Sequence, residues 1–157
     1  MICVINEKFE IEAKAYLDDL ADDLLATNNR IKIKLTRNWA NGFSVLPGIY
    51  AIFRKSKLIY VVETGSIRGR MKDLLDSRNH TVRRSIGKRK FSEDRDYRDA
   101  SSSKKFPLHI ENKVTKWIES QAKISTVIVK FGRKELEEML VAKFLPVYNK
   151  KGQRVTN

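Results

Sequence analysis

The sequence predicts an α+β fold, and three observations carry that prediction. Two β-branched runs, Ile49 to Phe53 and Leu58 to Val62, are separated only by Arg54-Lys55-Ser56-Lys57, which is hairpin spacing. A third such run, Ile124 to Lys130, lies far downstream. Segments with apolar residues at helical spacing precede, separate and follow these runs. At 157 residues and 41% hydrophobic content, the chain is long enough for a single domain with its own core.

Taken in order, Phe9, Ala13, Leu17, Leu20 and Leu24 recur at helical spacing, with Asp18, Asp19, Asp22 and Asp23 turned elsewhere. This predicts an amphipathic helix with a solvated acidic face. Ile31-Lys32-Ile33-Lys34-Leu35 alternates like a short edge strand, and residues 38–47 are turn-rich. The hairpin that follows lacks the usual Asn-Gly turn, so its register is open. A two-residue turn at Lys55-Ser56 sets Tyr50 opposite Val61 and sends Tyr60 to the other face. A three-residue turn, or one bulge, brings both tyrosines to the same face.

Ser66 is placed to cap a helix bearing Ile67, Met71, Leu74 and Leu75. His80 to Ile86 predicts a second, basic helix. Lys88 to Lys105 is dense in charge and is expected to be a long exposed loop. Pro107 opens a helix whose Ile110, Val114, Trp117 and Ile118 form a buried stripe. The last helix runs from Arg133 to Leu145 and is closed by Pro146, ahead of a basic tail expected to be mobile.

The formal charge of +13 is unevenly spread. Residues 1–30 carry seven acids and three bases, so the remainder holds twelve acids against twenty-nine bases, a net +17. A basic excess of this size suits a polyanionic partner, with an uninvolved basic surface as the alternative. Cys3 is the only cysteine, and His80 and His109 are the only histidines, which excludes a disulfide framework or a Cys/His zinc site within one chain. No apolar run approaches the roughly 20 residues of a membrane span, and the start turns charged at Glu7 and Lys8, so a cytoplasmic or nucleoid-associated protein is expected.

At about 100° per residue, the last helix places Glu137 within the apolar arc of Leu136, Met139, Leu140, Val141 and Phe144, whereas Glu135 and Glu138 point away. A carboxylate there costs several kcal/mol unless it is paired with an arginine or binds a metal. Lys143 shares the arc but has a stem long enough to reach solvent.

With these residues in view, the chain resembles the GIY-YIG nuclease family from Pro47 to Asn149. The family shows a Gly-Ile-Tyr strand, a Tyr-Ile-Gly strand, an arginine on the next helix, and a glutamate nine residues before a proline with an asparagine three residues beyond it. Here these are Gly48-Ile49-Tyr50, Tyr60-Val61-Val62, Arg70, Glu137, Pro146 and Asn149. Two positions depart from the pattern. Val62 stands where glycine is expected, and its side chain crowds a place that glycine leaves open. Leu74 stands where a histidine often follows the arginine by one turn. His80, in Asn79-His80-Thr81-Val82-Arg83-Arg84, either takes that histidine's place or contacts phosphate, with a surface position as the ordinary expectation.

The resemblance implies a small, mostly antiparallel three-stranded sheet flanked by helices. Residues 1–45 would be an N-terminal helical extension, 46–149 the nuclease core and 150–157 a basic tail, all within one domain. It implies hydrolysis of DNA phosphodiesters with one Mg²⁺ or Mn²⁺ on Glu137. Arg70 would clamp the phosphate charge, Tyr50 first and Tyr60 second would orient or deprotonate water, and Asn149 would order the site. DNA would be read by His80, Arg83, Arg84, Lys88, Arg89, Lys90, Lys104 and Lys105. One site cuts one strand, so cutting both needs a homodimer or successive nicks, and a stand-alone restriction-type enzyme is favoured. The rival readings are a weakened or inactive DNA-binding protein of the same fold, motivated by Val62, and a basic RNA-binding factor, for which no aromatic-rich RNA-binding segment is found.

Overall fold

Four strands, β1 (Ile31–Lys32), β2 (Gly48–Arg54), β3 (Lys57–Thr64) and β4 (Ala122–Ile128), form one antiparallel sheet in the order β1-β4-β2-β3. Among the described residues six α-helices accompany it: α1 (Glu7–Leu25), α2 (Arg37–Asn41), α3 (Ile67–Asp73), α4 (Thr81–Phe91), α5 (Leu108–Gln121) and α6 (Arg133–Phe144). The computed structural model describes residues 6–149; Cys3 and the basic tail lie outside the described residues. The α+β class is as the sequence predicts. The sheet gains a fourth strand because Ile31 and Lys32 pair with Ile124 and Lys123.

Strand β2 is buried from Gly48 to Phe53, because helices cover both faces of the sheet. Its alternation divides the core. Tyr50 and Ile52, with Ile59 and Tyr60, meet Met71 of α3, Leu74 just after it, and Val82, Ile86, Ile110 and Val114 of α4 and α5. Ile49, Ala51 and Phe53, with Leu58 and Val61, meet Ala21, Leu24, Leu136 and Leu140 from α1 and α6. Gly48 has no room for a side chain, since a Cβ there would stand 2.3 Å from the Val127 carbonyl oxygen and 2.7 Å from Ile67.

The hairpin combines both features left open by the sequence. Arg54 pairs with Lys57, so the turn is two residues long, with Lys55 in the left-handed region at φ 53. The register then shifts, because Phe53 pairs with Leu58 and Ile52 with Tyr60, leaving Ile59 as the extra residue of a bulge. Tyr50 pairs with Val62 in consequence, and Tyr50, Tyr60 and Val62 share one face.

Two sequence expectations are corrected. Phe9 heads the apolar stripe of α1 but is 65% exposed, because the helix packs through its C-terminal half at Ala21 and Leu24. The segment Lys88 to Lys105 is not one exposed loop. Helix α4 continues through Lys88, Arg89 and Lys90 to Phe91, and beyond it Tyr97, Ala100 and Phe106 turn inward onto the core. Phe106 lies where a Cβ on residue 87 would be, at 2.4 Å from its ring, so the glycine at that position makes the contact possible.

Candidate active site

The bulge brings Tyr50 and Tyr60 together, with ring centroids 6.0 Å apart. Helix α3 starts where the Ser66 hydroxyl accepts the Gly69 N–H at 3.1 Å, and one turn later it presents Arg70, ion-paired with Asp73 at 2.9 Å. Helix α4 starts at His80, whose Nδ1 accepts the Val82 N–H at 3.1 Å. A ring nitrogen that accepts a backbone N–H carries no proton, so the neutral imidazole holds its proton on Nε2. Nε2 lies 2.6 Å from the Tyr50 oxygen and donates to it.

Tyr50 is completely buried, and burial, reinforced by Tyr60, pushes its phenol well above the ordinary range, with Arg70 opposing. The hydroxyl therefore stays protonated near neutral pH. His80 is displaced downward, chiefly by burial and then by Arg70, Arg83 and Arg84, so it stays neutral. Burial also works against the Arg70 charge, but Tyr50, Asp73 and Tyr60 outweigh it, and its pKa lies above the ordinary value.

Strand β3 is the outer strand, and its outward-facing backbone groups are taken up by α6 and the segment after it. The Glu63 N–H donates to Glu137 Oε2 at 2.7 Å. The Val61 N–H donates to Asn149 Oδ1 at 2.9 Å, and Asn149 Nδ2 donates to the Val61 carbonyl at 2.6 Å. The Tyr148 N–H donates to the Ile59 carbonyl at 3.0 Å. Leu145, at φ 45, and Pro146 turn the chain back for this. Asn149 thus acts as a clamp on the edge, with both its amide atoms committed to one residue.

Between this edge and α4 lies a cleft of 640 Å³. It is lined by Tyr60, Val62, Arg70, Glu137, Tyr148 and Asn149 together with Thr81, Arg84, Ser85, Lys88, Asp99 and Ala100. Tyr60, Arg70, Glu137 and Asn149, far apart in sequence, are brought to one cavity. Tyr50 lies behind it, so of the two tyrosines Tyr60 faces the cleft, the reverse of the order read from the sequence. Arg84 lines the cleft and donates to the carbonyls of Ser77 and Arg78. Lys88 is exposed beside Asp99 at 3.8 Å. Arg89, Lys90 and Lys104 are exposed, and Lys105 pairs with Asp76 at 3.1 Å.

His80 and Arg83 are not at the surface and cannot meet DNA there. His80 is buried against Tyr50. Arg83 is 1% exposed, donating to Glu111 Oε2 at 2.7 Å, Thr115 Oγ1 at 3.1 Å and the Leu74 carbonyl at 3.3 Å. Thr81, Ser85 and Tyr148 are cleft residues that the sequence reading passed over. A helical wheel would have found the first two, since Thr81, Arg84, Ser85 and Lys88 form a polar stripe opposite Val82, Arg83, Ile86 and Gly87.

The His80 geometry carries a pH prediction. A folded-state pKa below about 6.5 means that the unfolded chain binds the proton first, so stability is full above that value and is lost as the pH falls below it. We expect thermal melts to show stability falling from about pH 7 towards pH 5 by up to about 1.4 kcal/mol per unit for this group. His80→Asn, which keeps a capping acceptor, should flatten the slope. An unchanged slope in the variant would remove His80 as the cause.

The fold and cleft define a basic α+β protein with tyrosine, arginine and carboxylate gathered at one open sheet edge. No protein-family model matches the chain, and no curated protein matches it. Among solved structures the chain is similar to the GIY-YIG N-terminal endonuclease domain of UvrC from Thermotoga maritima bound to magnesium, at 16% identity over 76% of this chain and 99% of that one, with a TM-score of 0.40. A point mutant of the same domain, bound to its catalytic divalent cation, is 17% identical over 76% of this chain and 98% of that one, also with a TM-score of 0.40.

Proposed function

We propose that the protein is a divalent-metal-dependent endonuclease that hydrolyses DNA phosphodiester bonds in this cleft. The observation that carries the reading is the convergence of Tyr60, Arg70 and Glu137 on one cavity in a chain of net charge +13. Arg70 donates to the phosphate oxygens on which charge develops, which suits a guanidinium. Tyr60 orients the water that attacks phosphorus as the bond to the 3′ oxygen breaks. Tyr50, kept protonated and held by His80, fixes the position of Tyr60 and Arg70 from behind.

The donor set fits a hard cation that keeps most of its waters. Glu137 is a carboxylate at the cleft, the hard oxygen donor that such a cation takes. Mg²⁺ or Mn²⁺, held by Glu137, would supply Lewis-acid polarisation of the phosphate and stabilise the leaving oxygen. With one such cleft among the described residues, each event cuts one strand; a stand-alone restriction-type enzyme that completes a double-strand cut by a second nick or as a homodimer is the form we favour. No helix among the described residues is long and apolar enough to cross a membrane, and a cytoplasmic or nucleoid-associated role accords with the reading.

The test is nicking of supercoiled plasmid with Mg²⁺ or Mn²⁺, with and without EDTA. Metal-dependent nicking is the expected result. Its absence, with DNA binding retained, would favour the second reading, a DNA-binding protein with a crippled cleft.

Val62 motivates that second reading, because its side chain lines the cleft beside Tyr60 and Glu137. Val62→Gly opens space there at a cost of about 1 kcal/mol in strand stability. A gain in nicking of tenfold or more would show that the isopropyl group obstructs the substrate. An unchanged rate would acquit it.

A further inference from the structure

A second recess, of 360 Å³, opens beside the active cleft, and Tyr148 lines both. Its cations come from the hairpin tip, Arg54, Lys55 and Lys57, and from the end of α4, Arg89 and Lys90; Trp117 of α5 lies among them. No carboxylate lines this recess, and none of the five cations makes an ion pair among the described residues. In the active cleft, by contrast, Arg70 and Lys88 each have an aspartate. Five clustered cations without counter-charge repel one another, a cost that a polyanion relieves.

The aromatic residue selects among polyanions. Trp117 packs against the core but stays partly exposed, and Lys90 Nζ and the Arg54 guanidinium carbon lie over its ring at 5.4 and 5.8 Å. A partly exposed tryptophan with cations over its ring suits a nucleobase that takes their place on the ring and brings its flanking phosphates to them. Bases in an intact duplex are already stacked and paired, so only an unpaired nucleotide can take that place.

We propose that this recess is a subsite for an unpaired nucleotide of the strand whose phosphate enters the active cleft, with the base on Trp117 and the phosphates on Arg54, Lys57 and Arg89. Taking the two cavities as one strand's path rests on the nuclease reading. The stacking does not, and it can be tested without cleavage.

The test uses the full chain in EDTA. Trp39→Phe leaves Trp117 as the sole tryptophan, since the chain has two. A short oligothymidylate should quench Trp117 emission saturably, and a blunt duplex of equal length should quench it far less. Trp117→Ala should weaken single-strand binding by roughly 5- to 150-fold. The exposed pair Lys57→Glu and Arg89→Glu, which leaves the core untouched, should weaken it as well and reduce the salt slope. Single-strand binding that leaves Trp117 emission unchanged, or that survives Trp117→Ala, overturns the proposal, as does equal quenching by the duplex. Quenching without plasmid nicking by the unaltered chain keeps the subsite and sinks the nuclease, whereas nicking without quenching does the reverse.

Discussion

Glu137→Gln is expected to lower metal-dependent plasmid nicking by roughly 10²- to 10⁴-fold in a chain that still folds. Folding and cleavage separate because glutamine keeps one of the bonds that the carboxylate makes and not its charge. Its Oε2 accepts the Glu63 N–H at the outer edge of β3, and a glutamine carbonyl can accept the same bond. The amide carries no charge, however, and cannot replace a carboxylate as ligand to a hard cation. Loss of the several kcal/mol that such a cation supplies to a developing phosphate charge sets the size of the rate effect. Glu137→Ala is the less informative variant, since it also leaves the Glu63 amide without that acceptor. Nicking by Glu137→Gln at the unmodified rate would dismiss the carboxylate as metal ligand.

The largest effect on stability is expected for Arg83→Ala, a loss of about 3–5 kcal/mol. The guanidinium ties α4 to α5 through Glu111 and Thr115 and reaches the Leu74 carbonyl after α3, all within the core. Truncation leaves the Glu111 carboxylate, itself largely buried, without its cation. For a chain of this length the melting midpoint should fall by roughly 10 °C or more. Arg84→Ala, one residue along but facing the cleft, loses only its bonds to the Ser77 and Arg78 carbonyls, so it should cost far less stability than Arg83→Ala and weaken DNA binding. Thermal melts and DNA titrations of both variants check the contrast. A stable Arg83→Ala that binds DNA less well would put Arg83 back among the phosphate contacts.

Adjacent arginines with opposite fates show where sequence reading stops short. Counted as basic residues, Arg83 and Arg84 are alike. Placed on the wheel of α4, Arg83 falls with Val82, Ile86 and Gly87, and Arg84 with Thr81, Ser85 and Lys88. That signal was present in the sequence at helical spacing. The role of His80 was not, since its partner Tyr50 lies 30 residues away on a strand.

Short-range physics was enough for most elements: hairpin spacing, the Ser66 cap, Pro107 at the start of α5, and the apolar periodicities of α3, α5 and α6 depend on neighbours within a turn or two. The anomalous Glu137 was legible on the same ground, because a carboxylate in an apolar arc is a local contradiction. Pairings between distant segments decided the rest. The bulge at Ile59 put both tyrosines on one face, and burial set Tyr50 behind Tyr60. The return of the chain after α6 gave Asn149 the open edge of β3. Packing left Phe9 outside the core and Trp117 only partly buried at its margin, although their helical spacing matched that of buried residues. Periodicity reports which side of an element is apolar, but only the assembled sheet and helices determine how much of that side is covered and which polar groups meet across it.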